Sequence, residues 1–220
     1  LKSVPAIVES WFPGQEGGAA IADILFGNVN PSGKLPDTLA AKRSDYPDFA
    51  NFPGTNHQER YAEDIYVGYR HFDKANVAPL FPFGYGLSYT TFKYRNLNLS
   101  SGTLNPDGSI TIRVDVTNTG KRAGEEVAQL YVHDVKPVID RPVRELKGFA
   151  KIELKSGETK TVQFIIYPRD LAYFDMPGHQ WKANAGDYEI QIGASSRDIK
   201  LKKSVRLNAD FMQSPVVHFN

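Results

Sequence analysis

A mixed fold is predicted for this chain: the C-terminal end of an α/β domain, read as strand–helix–strand, followed by an all-β sandwich. Two observations carry that expectation. Apolar residues recur at helical spacing only near the N-terminus, and from about Ser109 onward they alternate one by one with polar residues. A third observation is the aromatic stretch between the two patterns, which joins them without regular periodicity.

In the first segment, Ala6-Ile7-Val8 reads as a short apolar strand broken by Trp11-Phe12-Pro13-Gly14. Gln15 to Phe26 then has helical character, because Ala20, Ile21, Ile24 and Leu25 fall on one helix face. Gly27 stands where a helix-ending glycine with positive φ belongs, and Asn30-Pro31-Ser32-Gly33 makes a turn. One helix and one strand cannot cover both faces of a parallel sheet, so most of an α/β domain is expected to precede Leu1.

From about Asp37 to Phe92 the chain is irregular and rich in Pro, Gly, Tyr and Phe. Tyr61, Tyr66, Tyr69, Phe72, Phe81, Phe83, Tyr85, Tyr89 and Phe92 can bury a large area, at ~25 cal/mol per Å² of apolar surface. The segment is therefore expected to pack against both neighbours and fix their orientation.

Beyond it, Ile110, Ile112, Val114 and Val116 alternate with Thr111, Arg113, Asp115 and Thr117, the period of a half-buried strand. Further strands are read at Val127 to Val132, Thr161 to Tyr167 and Tyr188 to Ile192. Asn118-Thr119-Gly120, Gly148, Ser156-Gly157, Pro177-Gly178 and Gly186-Asp187 punctuate them as turns. About seven strands of this length point to an immunoglobulin or fibronectin type III sandwich. The expected divisions are 1–60 (end of the α/β domain), 61–92 (aromatic connection), 93–207 (sandwich) and 208–220 (tail).

The chain has 26 Lys and Arg against 25 Asp and Glu, and this near-neutral balance offers no electrostatic footprint for nucleic acid. Lys200, Lys202, Lys203 and Arg206 gather on one segment, read as a solvated strand face. Without cysteine there is no disulfide and no thiolate nucleophile. No apolar run approaches the ~20 residues that span a bilayer. His57 and His71 lack paired metal-ligand spacing, and the glycines after the first strand lack the dinucleotide fingerprint, so no metal and no cofactor are expected.

Three strings then carry a resemblance. WFPGQEGGAAIADILFGNVNPSGKLP (Trp11 to Pro36), YAEDIYVGYRHFD (Tyr61 to Asp73) and PLFPFGYGLSYTTF (Pro79 to Phe92) resemble the C-terminal region of family 3 glycoside hydrolases. ELKGFAKIELKSGE and NAGDYEIQIGASS continue the likeness through the sandwich. The resemblance implies a retaining β-glucosidase that removes terminal β-linked glucose, with two carboxyl groups ~5–5.5 Å apart. In that family the nucleophile Asp sits on a separate barrel domain, and the acid/base Glu lies upstream in the α/β domain. Neither motif occurs here, so no catalytic residue is assigned and the chain alone is expected to be inactive.

Three residues are candidates for lining the substrate cleft. Gln15 and Glu16 stand at a helix start, where the favoured reading of Glu16 is a charge on the helix dipole and the other is a place beside the sugar cleft. Glu63, with Asp64, could pair with Arg70 at the domain junction or reach the rim of the active site. Trp11 and Trp181 are expected to pack in the interior, Trp181 on a sandwich hairpin, with stacking on a sugar ring as the alternative for either. The implied partners are the rest of the same enzyme (its barrel domain and the first part of the α/β domain, continuous or as a separate cleaved chain), a β-glucoside or oligosaccharide, and a second copy of the chain. Neither nucleic acid nor a membrane span is expected, and the location implied is secreted or periplasmic. The alternative reading is a non-catalytic carbohydrate-binding or dimerisation module.

Overall fold

The computed structural model describes residues 3–215. Its first segment holds one helix, α1 (Gly17–Leu25). Gly27 has φ +77° and its N–H reaches the Ile24 carbonyl at 3.0 Å, closing the helix as a C-terminal glycine does. The strand expected at Ala6 to Val8 is not formed, and Ile7 and Val8 are exposed. A strand needs a neighbour for its backbone groups, and no described residue pairs with this one. Trp11, expected inside, is exposed with φ +47°.

The connection contains a second helix, α2 (Tyr69–Lys74), too short to be read from periodicity. Its Phe72 is fully buried.

The sandwich is built from β1 (Phe92–Leu99), β2 (Thr103–Leu104), β3 (Ile110–Asn118), β4 (Gly124–Asp134), β5 (Glu145–Leu154), β6 (Thr159–Ile166), β9 (Gly186–Gly193) and β10 (Ile199–Leu207). One sheet runs β1-β3-β6 and the other β2-β10-β9-β4-β5. All pairings are antiparallel except β2 with β10. Between them, β7 (Tyr173–Asp175) and β8 (Gln180–Ala183) form a hairpin extended by β11 (Phe211–Gln213).

The alternation of β3 sets the core. Ile110, Ile112, Val114 and Val116 are fully buried and pack with Leu130, Val132, Phe164, Ile190 and Ile192. The outward row is polar: Arg113 Nε donates to Gln163 at 3.1 Å, and Asp115 accepts from Asn96 and Thr161 at 2.8 and 2.6 Å. Those two hydrogen bonds, Thr161's first, hold the Asp115 carboxyl below its ordinary value.

Gly148 lies inside β5, not in a turn. It sits opposite Leu130, where the register with β4 shifts, and a Cβ there would press on the Phe164 ring at 3.3 Å. Trp181 is half-buried on the outer hairpin, with Phe174 edge-on at 5.2 Å and the Arg169 guanidinium 3.4 Å from its ring centre. Three of the four cations of β10 are neutralised locally: Lys200, Lys202 and Arg206 pair with Asp198, Glu189 and Asp187, while Lys203 reaches the Leu97 carbonyl.

Candidate functional site

The polar chemistry of this chain concentrates where residues 27–89 meet β4, β5 and the loop after β9. Asn30 Nδ2 donates to the Ala123 carbonyl at 2.8 Å, and Ser32 Oγ to Glu125 at 2.9 Å. Lys34 Nζ lies 3.1 Å from Glu126 Oε1 and 3.1 Å from the Gly86 carbonyl. Glu126 also accepts from the Tyr94 hydroxyl at 3.1 Å. A buried carboxylate with an ammonium and a hydroxyl donor is a satisfied one. Burial, reinforced by the Glu126 charge, raises the Tyr94 hydroxyl far above its ordinary value, keeping it a donor.

Aromatic residues supply the apolar half of the same seam. Tyr69 stacks tilted on Phe83 at 5.1 Å and edge-on to Tyr131 at 6.0 Å. Its hydroxyl accepts from the Leu146 N–H at 2.9 Å. Gln129 on β4 donates to the carbonyls of Gly84 and Ala194, and Tyr131 donates to its Oε1. Gly84 is required there: it has φ +78°, and a Cβ would strike the Gln129 side chain.

Asp73 on α2 is the tightest ionic point. Its carboxylate is 2.6 Å from Arg197 Nε and 3.2 Å from Arg144 Nε, the latter close enough for charge pairing but poorly aligned for a hydrogen bond. Arg197 also donates to the Phe72 and Val77 carbonyls at 2.8 and 3.0 Å, and Arg144 to that of Ser196 at 2.9 Å. Burial pushes the Asp73 carboxyl above its usual range, with the two arginines pulling back.

Beside it, Glu145 gathers Arg141 at 2.7 Å, Arg70 at 3.6 Å and Lys147 at 3.7 Å. Arg70 therefore pairs with Glu145, not with Glu63 or Asp64 as the sequence suggested, because α2 turns it toward β5. Burial lowers the Lys147 ammonium, against the opposing pull of Glu145. With its folded value depressed, the unfolded chain binds more protons up to the ordinary ~10.4, so stability rises with pH across that window. Lys147→Met should flatten this rise and add ~1 kcal/mol near neutral pH, read from denaturation midpoints at several pH values. Unchanged pH dependence would refute the burial argument.

The three cleft candidates sit apart from this seam. Gln15 and Glu16 are exposed, and Glu16 precedes α1 without a side-chain cap bond. Glu63 is half-buried in the loop before α2, its Oε2 shielded and without a partner among the described residues. No hydrogen bond or ion pair joins Glu63 to Gln15 or Glu16. Among the described residues no three His, Cys, Asp or Glu side chains converge as metal ligands, and no helix is long and apolar enough to cross a membrane.

A strand sandwich is thus fixed by an aromatic, ion-paired strap to the end of an α/β segment. Residues 1–89 match the glycosyl hydrolase family 3 C-terminal domain, and residues 126–196 match the fibronectin type III-like domain. The chain belongs to glycoside hydrolase family 3, as its C-terminal region. Thermostable beta-glucosidase B of Acetivibrio thermocellus is 46% identical over 209 residues, 95% of this chain and 28% of that protein. Beta-glucosidase B of Emericella nidulans is 47% identical over 221 residues, 95% of this chain and 26% of that protein. Beta-glucosidase 3B from Thermotoga neapolitana, solved with α-D-glucose, superposes with a TM-score of 0.83 at 45% identity, covering 91% of this chain and 28% of that one. Beta-glucosidase from Kluyveromyces marxianus, solved with glucose, gives 0.87 at 41%, covering 94% and 24%. The chain thus spans about a quarter of the length of these relatives.

Proposed function

We propose that this chain is the C-terminal region of a retaining β-glucosidase acting on terminal non-reducing β-D-glucosyl residues. Identity of 46% over 95% of the chain to a protein named as a β-glucosidase carries the proposal. Residues 1–60 complete an α/β domain and 61–92 strap it to the sandwich of 93–207; of the tail at 208–220, Phe211–Gln213 forms β11 and 216–220 lie outside the described residues. The nucleophile Asp and acid/base Glu belong to the barrel and the earlier α/β segment, either continuous with this chain or on a cleaved partner. Exposed apolar residues support that arrangement: Phe12 is fully exposed, and Leu25 and Phe26 on and beside α1 are 64% and 85% exposed. Apolar surface of this kind marks a contact with another body. Gln15, Glu16 and Glu63 then line or border the substrate cleft, and a secreted or periplasmic location suits a polysaccharide-derived substrate.

Fusion supplies the test. This chain replaces the corresponding C-terminal quarter of the Thermotoga neapolitana enzyme, and aryl β-glucoside hydrolysis is followed. The fusion should turn over substrate, the 220-residue chain alone should not, and the truncated host should lose activity. Turnover that tracks the pure chain through chromatography, or a folded but inert fusion, would overturn the proposal.

A further inference from the structure

Outside the seam, the connection carries a cup of about 290 Å³ lined by Arg43, Tyr46, Asp48, Phe49 and Phe52. Its floor is held from below. The Tyr46 hydroxyl accepts from the Ala40 N–H at 3.1 Å, and its ring meets buried Phe72 edge-on at 6.0 Å. Successive turns set the wall: the Phe49 N–H donates to the Tyr46 carbonyl at 3.2 Å, and the Phe52 N–H to that of Asp48 at 2.9 Å. Phe49 and Phe52 nonetheless leave about half their surface open, at 48% and 53%.

The rim adds polar chemistry. The Arg43 guanidinium sits 6.0 Å from the Phe49 ring centre. Among the described residues, no hydrogen bond or ion pair engages the side chain of Arg43 or of Asp48, while neighbouring Lys42 is occupied by Asp45 at 3.7 Å. The cup therefore combines two aromatic side chains with a fork of donors, placed over the Phe49 ring, and a carboxylate acceptor, neither polar group being taken by a hydrogen bond or ion pair.

We propose that this cup binds one hexopyranose unit of a β-linked oligosaccharide, as an accessory subsite of the enzyme proposed above, on which the inference rests. An equatorially substituted pyranose offers an apolar C–H face to an aromatic ring and a girdle of hydroxyls to groups at its edge. Phe49 and Phe52 supply the face, and Arg43 and Asp48 supply the donor and acceptor for adjacent hydroxyls. A plain aromatic ring could use the face but would leave both polar groups idle. Few convergent polar groups over an apolar floor is the usual make-up of a small-molecule site.

The test is nuclear magnetic resonance titration with methyl β-cellobioside, using phenol as the control. It is run on the 220-residue chain and on the fusion. Backbone shifts should centre on residues 43–52, with a dissociation constant on the order of 1–10 mM. Phe49→Ala should weaken binding about tenfold. Because that change could disturb the local turn, Arg43→Gln and Asp48→Asn, both at exposed positions, should each weaken it about threefold with the spectrum otherwise unchanged. Absence of shifts at roughly 50 mM sugar, equal shifts in all three variants, or phenol binding as tightly as the glycoside would overturn the proposal. Turnover by the unaltered fusion reports separately on the glycosidase assignment, so either idea can fail while the other stands.

Discussion

Asp73→Ala should lower stability by about 3 kcal/mol, because it strands two partly buried guanidinium groups at the join between connection and sandwich. Arg197 would keep its contacts to the Phe72 and Val77 carbonyls, so the loss falls short of that for a fully enclosed pair. Asp73→Asn keeps an acceptor for Arg197 Nε and should cost less. The pH dependence discriminates further. Burial raises the folded value of Asp73 above its unfolded one. The part of its contribution that depends on protonation is therefore fully present below the ordinary ~3.9 and is lost as pH rises through the raised value, leaving the contacts of the ionised carboxylate with the two arginines. That slope should vanish in Asp73→Asn, as followed by urea denaturation across acid pH. A midpoint for Asp73→Ala equal to that of the parent would refute the role given to this pair.

Ile112→Ala should cost about 3–4 kcal/mol, within the range for emptying a fully buried branched side chain. Ile112 lies mid-way along the central strand of its sheet, opposite Phe164, and faces the second sheet with no solvent to fill the void. Ile165 offers an internal control. It is the next residue after Phe164 on β6, points the other way and is 48% exposed, so Ile165→Ala should change stability by less than about 1 kcal/mol. Equal losses at the two positions, measured by chemical denaturation, would mean that the two faces of this sheet are assigned wrongly.

That contrast shows why the sandwich was legible in the sequence. A period of two is a direct record of which face is wet, and β3, β4, β6 and β9 lie where alternation or apolar runs placed them. Features set by contacts between distant segments were not legible. Arg70 meets Glu145 across 75 positions of chain, and no local pattern announces such a partner. The parallel pairing of two-residue β2 and the outer sheet of β7, β8 and β11 are likewise fixed by neighbours, being too short to show periodicity. Gly148 misled because a glycine at a bulge inside a strand resembles one in a turn. Ala6 to Val8 has the composition of a strand but no described neighbour to pair with. Of the cleft candidates, Glu63 shows a shielded, unpartnered carboxylate oxygen that no sequence pattern could reveal. The cup at 43–52 leaves no periodic mark in the sequence because its aromatics are spaced by turn geometry.

Asn30, Ser32 and Lys34 find their partners on or just before β4, 92 or 93 positions downstream. A ribosome adding ~5–20 residues per second would deliver those partners roughly 5–20 s after the first segment emerges. Through that interval the seam has one side only, and Lys34 and the strap's aromatic rings lack the partners that β4 gives them. The first segment is thus committed to waiting on the sandwich strands, and this region should mature only once β4 has been made, with a holding chaperone or slowed synthesis raising its yield.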